Sequence, residues 1–434
     1  MELNDFATVF LIISATLQFL LPRRWASLPL LLSACYTTPA HGIVLGPFHF
    51  TVIRIIQLVG FLRAMLRGER FNDSLNGLDR LTLLWAAWLL TSGLFHKDAS
   101  SALVFRLGLV YDVCGVYFLI RVFCQSIEDL VLLCKMIAIV LAPVAIEMIY
   151  EKLTAYNIFS VLGGVSAITE IRQGKIRAQG PFSHSILAGT VGAVCLPMTL
   201  LLWRLDRKIA VAGTAACVAM VVTSTSSGPI MSILAGIFAL SMWRFREKRT
   251  SFLWLIILTY FALDIVMKDP AYYIVARIDL AGGSTGWYRA RLIESSIEHL
   301  SEWWIVGTDY TRHWMATGLE AFPDQADIVN QYIKYGVLGG LPLLFIFVAL
   351  LLRGFTYVGS TIRRWCELGT DTRFEFVIWA CGATLFVHVV TCISISYFDQ
   401  SVIFLYMILA VISAAQSEAF LIRTFEKVDS KKAY

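Results

Sequence analysis

Charge is scarce in this sequence. Only 15% of the 434 residues are Asp, Glu, Lys or Arg, 58% are hydrophobic, and mean hydropathy is +0.70; a soluble domain carries roughly 25% charge. This composition excludes a water-dispersed globule and points to a chain that lives in a bilayer. There is no Cys-x-x-Cys, no His-Glu-x-x-His and no Gly-rich phosphate loop, which removes the usual zinc-protease and nucleotide-hydrolysing signatures. None of the nine cysteines falls in the two longest polar loops, so no disulfide framework is implied there. No internal repeat, low-complexity tract or soluble insert interrupts residues 1–434, which therefore read as a single membrane domain. The start, "MELND", has no positive n-region and is not expected to be a cleaved signal peptide. No basic run interleaves with aromatics, so the net charge of +5 does not speak for nucleic acid.

What is abundant is apolar sequence in runs of helix-spanning length. Such runs lie near 6–21, 26–40, 43–62, 79–95, 102–120, 129–149, 183–203, 209–223, 228–243, 251–267, 328–352, 374–395 and 400–417. They predict an all-α polytopic protein with about 12–13 transmembrane helices, the first two short enough to form one re-entrant hairpin. About 22 of the 36 Lys and Arg residues fall in alternate loops, among them Arg23, Arg70, Arg207, Arg246, Arg364 and the tail residue Lys431. Cytoplasmic loops retain such residues. The two longest loops, 150–182 and 268–327, then face the opposite compartment together, each carrying short surface helix.

The first of these loops ends in "TEIRQGKIRAQGPFSH". Arg172, Lys175 and Arg177 precede a Gly180-Pro181 turn and His184 at the start of the next span, and a guanidinium beside free helix N–H groups suits an anion. The second contains "STGWYRARLIESSIEHLSEWWIVGTDY", a surface-lying helix from Trp287 to Trp304 with Leu292, Ile297, Leu300 and Trp303 on its apolar face. Arg291 can pair with Glu294 or Glu298, leaving Arg289 freer for a ligand. The loop closes with "FPDQADIVNQYIKYGVLGGL", placing Asp324, Asp327, Asn330, Tyr332 and Lys334 at the mouth of another span. Within the spans, Arg54, Arg106, Glu147 and His388 are expected to find partners on neighbouring helices. His313 lies in a Trp-containing loop with no evident partner, and the serine run "TSTSSGPI" reads as an ordinary helix start.

Taken in order, "RAQGPFSHSILAG", "GWYRARLIE", "WWIVGT" and "DIVNQYIKYGVLGG" resemble the O-antigen ligase and polymerase superfamily of bacterial membrane glycosyltransferases, over roughly residues 100–400. The resemblance implies a GT-C-like helical fold in the bacterial inner membrane with its active site facing the periplasm. It also implies transfer of a glycan from a polyprenyl-diphosphate-linked oligosaccharide to an acceptor, either a growing glycan or a lipid core. Arg177 and Arg289 correspond to the family's two loop arginines. Where many ligases carry histidine directly before the asparagine of the last motif, this chain has Val329, which favours polymerase over ligase. Partners implied are the carrier, the acceptor, the bilayer and polysaccharide chain-length or export proteins, but not nucleic acid.

Displacing a lipid diphosphate from an anomeric carbon needs a base for the acceptor proton and positive charge on the leaving group. Asp327 is the expected base, and Arg177 and Arg289 the expected diphosphate ligands, acting without metal or cofactor because guanidinium forks bind phosphate oxygens bidentately. Arg172, Lys175, His184, Arg291, Asn330, Tyr332 and Lys334 are candidate substrate contacts. Two other classes stay open: a lipid-linked glycan flippase, and a non-catalytic scaffold of an export complex. Cysteines introduced at Ser166 and Ser284 should be labelled by an impermeant thiol reagent from outside; labelling only after the inner face is opened would overturn this topology.

Overall fold

The structure, a computed structural model, describes residues 3–248 without 39, 72 and 73, residues 258–277 without 260 and 268, and residues 286–424 without 317, 320 and 321. It is mostly helical, at 73%, as the apolar runs predict. The helices are α1 (Asp5–Leu20), α2 (Ser27–Tyr36), α3 (Val52–Leu66), α4 (Gly77–Gly93), α5 (Ala99–Phe123), α6 (Ile127–Thr154), α7 (Ser185–Leu200), α8 (Arg207–Thr223), α9 (Ser227–Ser241), α10 (Gly286–Glu298), α11 (Gln331–Glu367), α12 (Thr372–Cys392) and α13 (Val402–Ala415). Among the described residues six stretches, on α5, α6, α7, α9, α11 and α12, are long and apolar enough to cross a bilayer, and a seventh arises if α13 and the bent continuation Glu418–Thr424 count as one span. The expected number was about thirteen. The shortfall has a simple source: α1, α2, α3, α4 and α8 have 16, 10, 15, 17 and 17 residues, and at 1.5 Å per residue these fall short of or barely reach the hydrocarbon thickness. Most of the run at 251–267 lies outside the described residues.

Hydrogen bonds sort the connections into two groups. In the first, Arg23 bridges the Val122 and Phe123 carbonyls and Asp129, Asn76 donates to Ser413, Lys135 reaches Asp206 and Arg364 reaches Glu418. In the second, Asn4 donates to Val161 O, Asp309 accepts from Lys97 N–H, and Gln400 donates to both Thr37 O and Pro181 O. The first group is the one in which basic residues concentrate.

Helix starts follow side-chain capping. Asn76 and Asp79 form a capping box on α4, Ser126 caps α6 with Glu128 and Asp129 in its first turn, and Asn330 caps α11 through Tyr332 N–H and Ile333 N–H; each satisfies orphan backbone donors. Helix α11 is broken inside. Gly340 has φ +72°, and a Cβ there would lie 2.2 Å from Ile305 O, so only glycine admits the second long loop this close. Leu341 N–H donates to Trp304 O and Trp88 Nε1 to Gly339 O, which satisfies the backbone groups freed by the break.

Arg54 and Arg106 find partners on neighbouring helices, while Glu147 and His388 find theirs in the turns that follow their own helices. Arg54 on α3 donates to both Asp112 oxygens at 2.8 and 2.7 Å. Arg106 donates to Leu89 O and Ser92 Oγ, Glu147 accepts from Ile158 N–H, and His388 Nδ1 lies 2.7 Å from the Tyr397 hydroxyl. The most enclosed pair is Arg121–Asp79, where the fully buried carboxylate accepts from Arg121 Nε and Nη2, Tyr117 Oη and Ser413 Oγ. Removing one partner of such a pair leaves the other charge buried and uncompensated. Asp79→Ala should therefore destabilise the protein by about 3–5 kcal/mol, read as a lower melting temperature in detergent, and the Asp79→Leu/Arg121→Met double variant should recover much of the loss.

Candidate functional site

The site begins where α6 ends. Ala155 terminates the helix in the left-handed region at φ 59°, and the chain later forms the hairpin Ile171–Arg172 with Lys175–Ile176. Gln173 and Gly174 turn it with φ of 51° and 72°, the two positive values that a tight hairpin turn demands. Arg172 and Lys175 are thereby set opposite each other. The Gly180-Pro181 turn that follows is pinned from α6: Glu151 accepts from Gln179 N–H and Gly180 N–H at 3.0 and 2.8 Å and from Thr169 Oγ1, and Asn157 donates to Gly180 O.

Arg177 is held between loops. Its Nη2 donates to Ser226 Oγ at 2.8 Å and its Nη1 reaches Glu170 Oε2 at 3.4 Å. Ala178 N–H donates to Thr223 O. The serine run that reads as a helix start therefore also carries an arginine ligand. His184 caps α7: its Nδ1 accepts from Ile186 N–H, so the neutral ring carries its proton on Nε2, which lies 3.9 Å from Glu170 Oε2. Burial first, and the Arg177 charge next, hold this histidine below its ordinary value; with Nδ1 occupied it is a cap and not a base.

From the second loop, α10 brings Arg289, whose Nε donates to Ser394 O at 2.9 Å. Among the described residues its two terminal nitrogens make no hydrogen bond. Burial lowers its pKa, Arg172 of the first loop lowers it further, and Asp327 opposes both. Asp327 has the converse balance: desolvation raises its pKa while Arg289 and Lys334 pull it down. Its carboxylate remains solvent-accessible and has no hydrogen bond among the described residues, while its backbone carbonyl accepts from Tyr288 Oη.

One turn, Ile393–Ser401, receives both loops. Asp399 accepts from Ser183 N–H, Gln400 donates to Pro181 O, Asn330 donates to Ile393 O, Lys334 donates to Tyr397 O at 2.8 Å and Gln331 accepts from Tyr397 N–H. A Cβ on Gly228 would lie 3.7 Å from Ser394 Oγ, which links the Ser226 turn holding Arg177 to the carbonyl holding Arg289. Arg172, Arg177, Arg289, Asp327 and Lys334 are thus gathered around one centre.

Other candidates have internal partners. Arg291 pairs with Glu294 at 2.6 Å and Glu298 at 3.3 Å, Tyr332 Oη donates to Val389 O and Asn330 is a cap. The surface helix is shorter than expected, ending at Glu298 before a separate turn Leu300–Trp303. On its apolar side Leu292 and Trp303 are buried, while Trp287, Ile297 and Trp304 remain exposed, as an interface-lying helix allows. Sequence reasoning did not assign Glu170, Ser226, Ser394 or Asp399. The signal for the last two is the short polar run "SISYFDQS" between two apolar runs.

An apolar groove of about 620 Å³ leads to this region, lined by Ile149, Trp203, Val211, Val218, Val222 and Thr223. It ends at the residue whose carbonyl holds Ala178. With this geometry in view, no protein-family model and no curated protein matches the chain. Fold and site together define a multi-pass helical membrane protein with an arginine-rich site at one end of its bundle.

Three guanidiniums and Lys334 outweigh the three carboxylates Glu170, Asp327 and Asp399 here, and charge-assisted hydrogen bonds favour an anion with several oxygens. Inorganic pyrophosphate should bind the detergent-purified protein, and Arg289→Ala should weaken that binding about tenfold or more, measured by calorimetry. Equal binding in Arg172→Ala, Arg177→Ala and Arg289→Ala would dismiss the anion site.

Proposed function

We propose that the protein is a membrane glycosyltransferase of the O-antigen ligase and polymerase type, acting from the periplasmic side of the bacterial inner membrane. The observation that carries this reading is the convergence of Arg172, Arg177 and Arg289, from two loops far apart in sequence, beside an apolar groove. The groove would take the first isoprene units of a polyprenyl chain, and the guanidiniums its diphosphate. A flippase would instead be expected to place its polar machinery near the bilayer midplane.

In the proposed reaction the acceptor hydroxyl attacks the anomeric carbon, the bond to the carrier diphosphate breaks, and the diphosphate leaves with both electrons of that bond. Arg177 and Arg289 stabilise the departing charge, with Arg172 and Lys334 adding to the field. Asp327 takes the acceptor proton. Its opposing influences suit this role: desolvation raises its pKa toward that of a useful base, and Arg289 keeps it ionised. The acceptor is taken to be a second carrier-linked repeat, because Val329 stands where many ligases have histidine.

Purified protein incubated with polyprenyl-diphosphate oligosaccharide alone should produce a ladder of lengthened glycans; product only on adding a lipid-core acceptor would mean a ligase, and none in either tube would sink the enzyme reading. Arg177→Lys and Arg289→Lys should each impair turnover although charge is retained, since lysine lacks the bidentate fork. Asp327→Asn should slow transfer roughly 100-fold or more with pyrophosphate binding intact. If Glu170→Gln produces that loss while Asp327→Asn does not, Glu170 is the base.

A further inference from the structure

In the middle of the second long loop, beyond α10, three side chains converge in a pattern that the transferase reading does not use. His299 follows α10, Glu302 lies in the turn Leu300–Trp303, and His313 sits in the short helical turn Arg312–Trp314. His313, which has no evident partner in sequence, is 3.0 Å from Glu302 Oε2 through its Nε2. His299 Nδ1 is 2.7 Å from Glu302 Oε1. One donor atom from each residue lies within 4.8 Å of the others.

We infer that His299, Glu302 and His313 form a binding site for a divalent transition-metal ion of the zinc class. Two imidazoles and one carboxylate are a donor set suited to such ions, and zinc takes nitrogen and oxygen ligands at about 2.0–2.2 Å. Tetrahedral ligands at that radius stand roughly 3.3 Å apart, so the spacings from Glu302 to the two histidines need only small expansion. About a third of each side chain is exposed, at 31%, 35% and 32%, so an ion can enter from solvent and water can complete its coordination.

The surroundings hold the donors in place. Trp314 Nε1 donates to Glu302 Oε2 at 3.1 Å, orienting the carboxylate from outside the ligand set as second-layer donors do in metal sites. The His299 ring stacks on Trp314 with an 8° interplanar angle, and the His313 ring stacks on Tyr310 at 18°. The two imidazoles meet edge to face, centroids 4.6 Å apart. Without metal each histidine can donate a ring proton to Glu302; on metal binding a neutral imidazole carries that proton on its other nitrogen. The ion would fasten the end of α10, the helix bearing Arg289, to the chain that follows it. The inference does not depend on the transferase reading.

The test uses the full chain without a polyhistidine tag, stripped with chelator in detergent and titrated with Zn²⁺ and Co²⁺. A zinc site is expected that weakens at least tenfold in each of Glu302→Gln, His313→Ala and His299→Gln, together with visible Co²⁺ absorption in the wild type. Zinc should raise the wild-type melting temperature by linkage and leave that of the variants unchanged. Absence of the Co²⁺ bands in the wild type overturns the site whatever the variants do. Zinc binding of equal strength in the wild type and the folded variants, as judged by gel filtration, overturns it equally.

Discussion

A guanidinium removed from water must be given oxygen partners, and that requirement organises this protein. Arg54, Arg63 and Arg121 each receive a carboxylate through two nitrogens, from Asp112, Glu69 and Asp79. The Asp112 and Asp79 pairs fasten separate helices, the Glu69 pair closes the end of α3, and all three leave little capacity for a ligand. Arg289 is almost as enclosed, yet among the described residues only its Nε is occupied. Arg177 is intermediate, with a serine hydroxyl and a distant carboxylate oxygen. Graded satisfaction of this kind separates arginines that build from arginines that wait for an anion, a distinction that counting basic residues cannot make.

The waiting arginines are brought together by backbone groups more than by side-chain attraction, since like charges repel. Ser394 O, Ile393 O, Tyr397 O and Pro181 O all accept from side chains of other segments. The turn holds Arg289 directly and the first loop through Pro181 and Ser183, while Ser226 holds Arg177. A multiply charged anion would relieve this repulsion.

The helical character and the places where chemistry gathers were legible in the sequence because both depend on local patterning. Apolar runs mark helices, and "KIRAQGPFSH" and "DIVNQYIKYG" mark loop mouths where charge returns. Span number was less legible: α3 and α4 look in sequence like their longer neighbours, and hydropathy does not say where a cap such as Thr51 or Asn76 will start the helix. Pairings such as Arg54 with Asp112 and His313 with Glu302 were unreadable beyond the expectation of some partner, because they depend on how distant segments pack. His184 is the converse case: its place at the start of a span already pointed to a helix-start role, and the Ile186 N–H on its Nδ1 fills it.

The turn at Ile393–Ser401 lies late in the chain, after both loops it fastens. During synthesis the loops therefore emerge, and most of the bundle inserts, before the residues that lock them exist. The arginine cluster is completed only when the chain through Gln400 has threaded back against Pro181 and Thr37. A nascent chain interrupted before that point has helices α1–α12 but no finished centre, so maturation of the site reports that the polypeptide has been translated and inserted through Gln400.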